Sequence, residues 1–205
     1  MSEAVASVAL TQGAGPGSAL AGSAVLELLR RGVSGASVPF ASSGQGAVEE
    51  AQAVCRLVQQ AKYSGLVDPA GAEHLGRELA ARLASVRPDV LLVWQDVEDV
   101  VLGYVVARAL DVAMIRAYDA EGIVACSGEI PRQARAVAVT DAVRDPTVMR
   151  ALRSVVERSG GELVAIGTLV ASSLAPVDVK VVALVADAAT ADAATADAGE
   201  ETGAR

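Results

Sequence analysis

The sequence predicts an α/β domain: a mainly parallel, twisted sheet with helices on both faces. Three observations predict it. Short, continuous, branched apolar runs alternate with segments of helical period between residues 89 and 185. The runs lack in–out alternation, as strands covered on both faces do. Single segments of helix length separate the first strand from the second and the third from the fourth, which suits right-handed βαβ crossovers.

The elements follow in order. Asp68-Pro69 opens a helix predicted over 72–85, with Leu75, Leu79 and Leu83 on one face. His74, the chain's one histidine, is then expected in the first turn, at the surface or as a cap. Asp89–Trp94 follows Pro88 and reads as a strand, and Leu102, Val105, Val106, Ala109 and Leu110 fall at helical spacing after it. Val112–Ala117 and Ala136–Thr140 are the second and third strands. Val148, Leu152, Val155 and Val156 share a helical face that Gly160-Gly161 ends, and Leu163–Ala171 and Val179–Val185 complete the sheet. From Asp187 onward the chain is a near-repeat of Asp, Ala and Thr with no large apolar side chain, which predicts a disordered tail.

Composition excludes several functions. The 205 residues carry a formal charge of −8, half of it in the tail, and are 52 % hydrophobic but only 2 % aromatic. The lysines are Lys62 and Lys180 alone, so neither a basic face nor stacking aromatics point to nucleic acid. The most apolar stretch, Val100–Ile115, is interrupted by Arg108 and Asp111, too soon for a membrane span. The Met-Ser-Glu start lacks a basic region before an apolar one, so the cytoplasm is the expected compartment. Cys55 and Cys126 are far apart and read as small apolar residues, and a single histidine excludes a zinc site built on several. Near the start, Val5–Leu10 precedes Gly13-Ala-Gly15-Pro-Gly17, a weak echo of a dinucleotide loop in which Ser18 holds the third glycine position and no acidic residue ends a following strand. It reads as a flexible leader; a Rossmann-type nucleotide-binding protein is the third functional class.

The order of segments resembles the type I phosphoribosyltransferases, and within them orotate phosphoribosyltransferase. Val25-Leu-Glu-Leu-Leu-Arg-Arg31 followed by Val38-Pro-Phe-Ala-Ser-Ser-Gly-Gln45 is similar to that family's LLELL helix and S-S-G-K stretch. Val67-Asp-Pro-Ala, Val105-Val-Ala-Arg-Ala-Leu-Asp-Val112 and GEIPRQARAVAVTD follow in the family's order. The resemblance implies a leader over 1–23, one domain over 24–186 with a small hood (about 24–66) and a core (about 67–186), and the tail over 187–205. It further implies Mg²⁺-dependent displacement of pyrophosphate from 5-phosphoribosyl-1-pyrophosphate by a nitrogen base, a homodimer, and a nucleotide or sugar phosphate as ligand.

The residues that this chemistry needs are altered. The family places two adjacent carboxylates and a T-T-G-G-T phosphate turn after the third core strand; the corresponding positions here are Thr140, Asp141, Arg144, Asp145, Pro146 and Thr147. Asp145 would set a carboxylate against a phosphate dianion, a repulsion on the order of several kcal/mol, and Pro146 offers no N–H. The alternative is that Asp145-Pro146 caps the next helix. The pyrophosphate-loop position holds Trp94, Gln95 and Asp96, followed by Glu98 and Asp99. Asp96 and Asp99 are candidate Mg²⁺ ligands, or else partners of a helix N-terminus. The stretch Tyr118–Ser127 is a short loop without a base where the family has a cationic one, and Gln45 replaces the S-S-G-K lysine. These losses favour a catalytically impaired relative, kept as a binding, regulatory or assembly module; the alternative is an active orotate-type transferase.

Overall fold

The computed structural model describes residues 68–171 and 178–185, together with Leu29 and Leu66. The leader, nearly all of the hood, Cys55, the Gly13–Gly17 loop and the tail lie outside the described residues. Helix α1 spans Pro69–Leu83 and continues as a 3₁₀ turn over Ala84–Val86. Then come β1 (Val90–Val93), α2 (Val97–Leu110), β2 (Ala113–Ala120), β3 (Ile123–Cys126), β4 (Arg135–Ala142), α3 (Pro146–Arg158), β5 (Glu162–Val170) and β6 (Lys180–Val185).

The strands form one six-stranded sheet in the order β3-β2-β1-β4-β5-β6. All neighbours are parallel except β2 and β3. Strand alternation splits the core in two. Leu91, Val93, Val137, Val139, Ala165 and Leu169 face α1 and α2, in a cluster that also buries Leu29 and Leu66. Val90, Leu92, Ala136, Ala138 and Ile166 face α3 through Met149, Leu152, Val155 and Val156. Helices α2 and α3 therefore cover opposite faces, as two right-handed crossovers leaving the sheet centre in opposite directions require.

The predicted strands are all present, and the differences are local. Asp68 accepts from the backbone N–H groups of Ala70 and Gly71 at 3.4 and 3.0 Å, with Pro69 at the first helical position, so α1 begins three residues before the expected Ala72. That shift moves His74 into the second turn. It is neither a surface residue nor a cap: it is half-buried, and its Nε2 has no hydrogen-bond partner. Tyr118–Ser127 is not a loop but the tip and second strand of the β2–β3 hairpin. Glu121 and Gly122 both have positive φ, 55° and 83°, as a two-residue turn of the primed type needs, and Asp119 accepts the Gly122 N–H at 2.7 Å. Cys126 ends this hairpin half-buried, and burial pushes its thiol pKa up. Among the described residues no helix is long and apolar enough to cross a membrane.

Candidate functional site

From β1 the chain passes to β2 on one side, while β4 lies on the other, so the strand order reverses between β1 and β4. In an open parallel sheet the carboxyl ends of two such strands border the crevice where ligands bind. Two short connections meet there: Trp94, Gln95 and Asp96 between β1 and α2, and Val143, Arg144 and Asp145 between β4 and α3. These are the positions singled out from the sequence, and the fold brings them to one edge.

On the β1 side, Trp94 is half-buried against the α3-facing core, and Gln95 and Asp96 are exposed. Asp96 holds the N-cap position of α2 with no side-chain cap bond, and Glu98 and Asp99 lie in the first turn. Asp99 is 5 % exposed, and its Oδ1 accepts the backbone N–H of Asp141 at 2.9 Å. Burial first, and then the neighbouring Asp141 charge, push its pKa up to about 7, against hydrogen bonds from the Asp141 N–H and the Thr140 hydroxyl.

On the β4 side, Thr140 and Asp141 are both buried. Asp141 Oδ1 accepts its neighbour's amide, Ala142 N–H, at 2.7 Å. Arg144 clasps the same carboxylate with both terminal nitrogens, Nη1 to Oδ1 at 2.6 Å and Nη2 to Oδ2 at 2.7 Å. This is the fork geometry that makes arginine–carboxylate pairs strong. Its hydrogen bond to Asp141 also raises the Arg144 pKa. Thr168 of β5 donates its hydroxyl to Asp141 O and Val170 O, both at 3.1 Å, while Thr140 donates to Ala142 O at 3.1 Å. Asp141 is thus held on its backbone and its side chain, facing inward.

The start of α3 is closed by its own chain. Asp145 is the N-cap and accepts the Thr147 N–H at 2.7 Å, with Pro146 behind it contributing no N–H. The Thr147 backbone hydrogen bond holds the Asp145 carboxyl below its usual range. Thr147 Oγ1 in turn accepts from Arg150 at 3.2 Å. Of the two sequence-level readings of Asp145-Pro146, the capping one describes the geometry.

These donors do not fit a Mg²⁺ site. The Asp141 carboxylate is spent on Arg144, Asp99 is turned onto an amide and holds its proton up to about neutral pH, and Asp96 stands alone at the surface. Among the described residues no group of three or more His, Cys, Asp or Glu could hold a metal ion. Sequence reasoning did not foresee the Asp99–Asp141 contact or the role of Thr168. Only the adjacency of β1 and β4 creates the first, and Thr168 lies within a strand that reads as plain core.

The chain matches no protein-family model and no curated protein in sequence. In structure it is similar to orotate phosphoribosyltransferase from Mycobacterium tuberculosis in complex with inorganic phosphate, with a TM-score of 0.54 at 15 % identity, over 86 % of this chain and 99 % of the other. It is also similar to adenine phosphoribosyltransferase from Thermoanaerobacter pseudethanolicus, with a TM-score of 0.51 at 15 % identity, over 60 % and 86 %. Adenine phosphoribosyltransferase from Trypanosoma brucei, in complex with AMP, pyrophosphate and ribose-5-phosphate, gives a TM-score of 0.50 at 14 % identity, over 80 % of each chain. At these identities the likeness concerns the fold, which is that of the type I phosphoribosyltransferases.

Proposed function

We propose that this phosphoribosyltransferase-fold chain does not transfer phosphoribosyl groups and acts instead in the cytoplasm as a binding, regulatory or assembly module. One observation carries the reading. At the switch point, Arg144 is neutralised by Asp141, and the Thr147 N–H is taken by Asp145. A diphosphate needs free cations and free N–H groups where this chain presents Asp96, Glu98 and Asp145. Function follows the site rather than the fold.

As an assembly module the chain is a homodimer, with α2 presenting Val97 and Tyr104 at 72 and 60 % exposure beside a groove lined by Val100, Val101 and Met114. Light scattering on the eluting gel-filtration peak would give twice the chain mass; a monomer at micromolar concentration contradicts this part.

The binding test is calorimetric titration with 5-phosphoribosyl-1-pyrophosphate, with and without Mg²⁺. No Mg²⁺-dependent heat is expected. Micromolar binding that requires Mg²⁺ would overturn the proposal and favour an active transferase.

A further inference from the structure

The far end of α3 brings together two arginines, Arg132 and Arg158. A cleft of about 620 Å³ opens between the segment after β3 and the last turn of α3, lined by Cys126, Ile130, Pro131, Arg132, Val155 and Arg158. A hollow of about 670 Å³ adjoins it and shares Arg132 and Arg158. At 1.5 Å per residue the length of α3, about 20 Å, separates this cleft from the crevice at Asp141.

Among the described residues neither arginine pairs with a carboxylate. Arg132 makes no hydrogen bond or ion pair among the described residues. Arg158 gives only its Nε, to Ser154 O at 3.3 Å, leaving both terminal nitrogens without a carboxylate among the described residues. The neighbouring Glu157, which lines the adjoining hollow, pairs with Arg153, Nε to Oε1 at 2.7 Å, and Arg153 pairs with Asp178 as well. Glu129, exposed, lines the cleft beside them. The carbonyls that end α3 are already used: Ser159, Gly160 and Gly161 return their N–H groups to Val155, Val156 and Glu157. The negative end of the helix is therefore partly satisfied rather than facing the cleft bare. The apolar part of the lining is Ile130, Pro131 and Val155.

We propose that this cleft binds a small organic phosphate, with the phosphate held between the Arg132 and Arg158 guanidinium groups and an apolar body laid along Ile130, Pro131 and Val155. Guanidinium forks match phosphate oxygens two by two, and the apolar wall adds affinity that a bare anion lacks. This supplies the ligand class for the binding role proposed above. It rests on that reading only in expecting no competing phosphate site at the switch point.

The test uses the full chain and phenyl phosphate as probe, with inorganic phosphate and phenol as its two halves. Calorimetry should show saturable binding of phenyl phosphate, at least about tenfold tighter than inorganic phosphate, and none of phenol. The double substitution Arg132→Gln with Arg158→Gln should weaken phenyl phosphate at least about tenfold. Cys126 lines the cleft and reports location independently: in a Cys55→Ser background, bound phenyl phosphate should slow its maleimide labelling several-fold. Should the double variant fail to fold, the labelling decides. Absence of saturable binding at millimolar probe overturns the assignment, as does binding that leaves Cys126 labelling unchanged. The proposed function fails on different results, Mg²⁺-dependent binding of phosphoribosyl pyrophosphate or measured transfer.

Discussion

Asp99 is held in the fold at a cost that depends on pH. Its pKa rises from 3.8 to about 7 because its carboxylate is buried beside Asp141. A folded-state pKa above the unfolded one means that the native state keeps a proton the unfolded chain has lost. The Asp99 contribution to stability is therefore neutral below about pH 4, falls as pH rises toward 7, and is level above that. Asn at this position would still accept the Asp141 N–H through its Oδ1 without a charge to bury. Asp99→Asn should match the parent near pH 4 and exceed it at pH 8, by on the order of 2–3 kcal/mol in urea unfolding. Equal pH profiles for the two proteins would contradict this. Arg144 has the opposite role, since its removal strands the buried Asp141 carboxylate. Arg144→Ala should destabilise by about 2–3 kcal/mol at pH 8, and Asp141→Asn with Arg144→Ala should recover part of that loss in a double-mutant cycle. Asp141 and Thr147 stand in the sequence where the resemblance implies a phosphate turn. Their partners were not legible, because Arg144 could equally have been read as a phosphate ligand until its bidentate geometry was seen.

At the scale of elements, two contacts fix the helices that frame the crevice. Gly76 of α1 lies so close to α2 that a β-carbon there would sit 2.4 Å from Val105 Cγ1. The branched Val105 side chain has little room to yield. Gly76→Ala should cost about 1–3 kcal/mol by overpacking, despite alanine's better helix propensity, and a thermal melt lowered by several degrees would register it. Asp145→Ala removes the α3 cap and should cost about 1 kcal/mol. An unchanged melting temperature would mean that Thr147 finds another acceptor. The helices and buried strands were readable because their patterns are dense: Leu75, Leu79 and Leu83 on one face, and Val90–Val93 as an unbroken apolar run. The β2–β3 hairpin was not. Its turn uses Glu121-Gly122 rather than the Asn-Gly or Asp-Gly that would have announced it, and β3 is only four residues long, at the sheet's edge.

For the whole molecule, what matters is where charge lies relative to strand direction. The carboxyl ends of β1 and β4 gather Asp96, Glu98, Asp99, Asp141 and Asp145, while Arg132 and Arg158, neither paired with a carboxylate among the described residues, lie at the opposite end of α3. The net charge of −8 gave no hint of this division, since half of it belongs to the tail. The mainly parallel sheet and the family-like succession of segments were legible; the strand order was not, nor was the inward turn of the acidic cluster, because pairing and burial are set by the sheet's third dimension. The proposed loss of phosphoribosyl transfer is tested most directly by measuring pyrophosphate released from 5-phosphoribosyl-1-pyrophosphate and Mg²⁺ on addition of orotate or adenine. Release no faster than in protein-free solution is expected; base-dependent turnover that disappears in Asp141→Asn would contradict it.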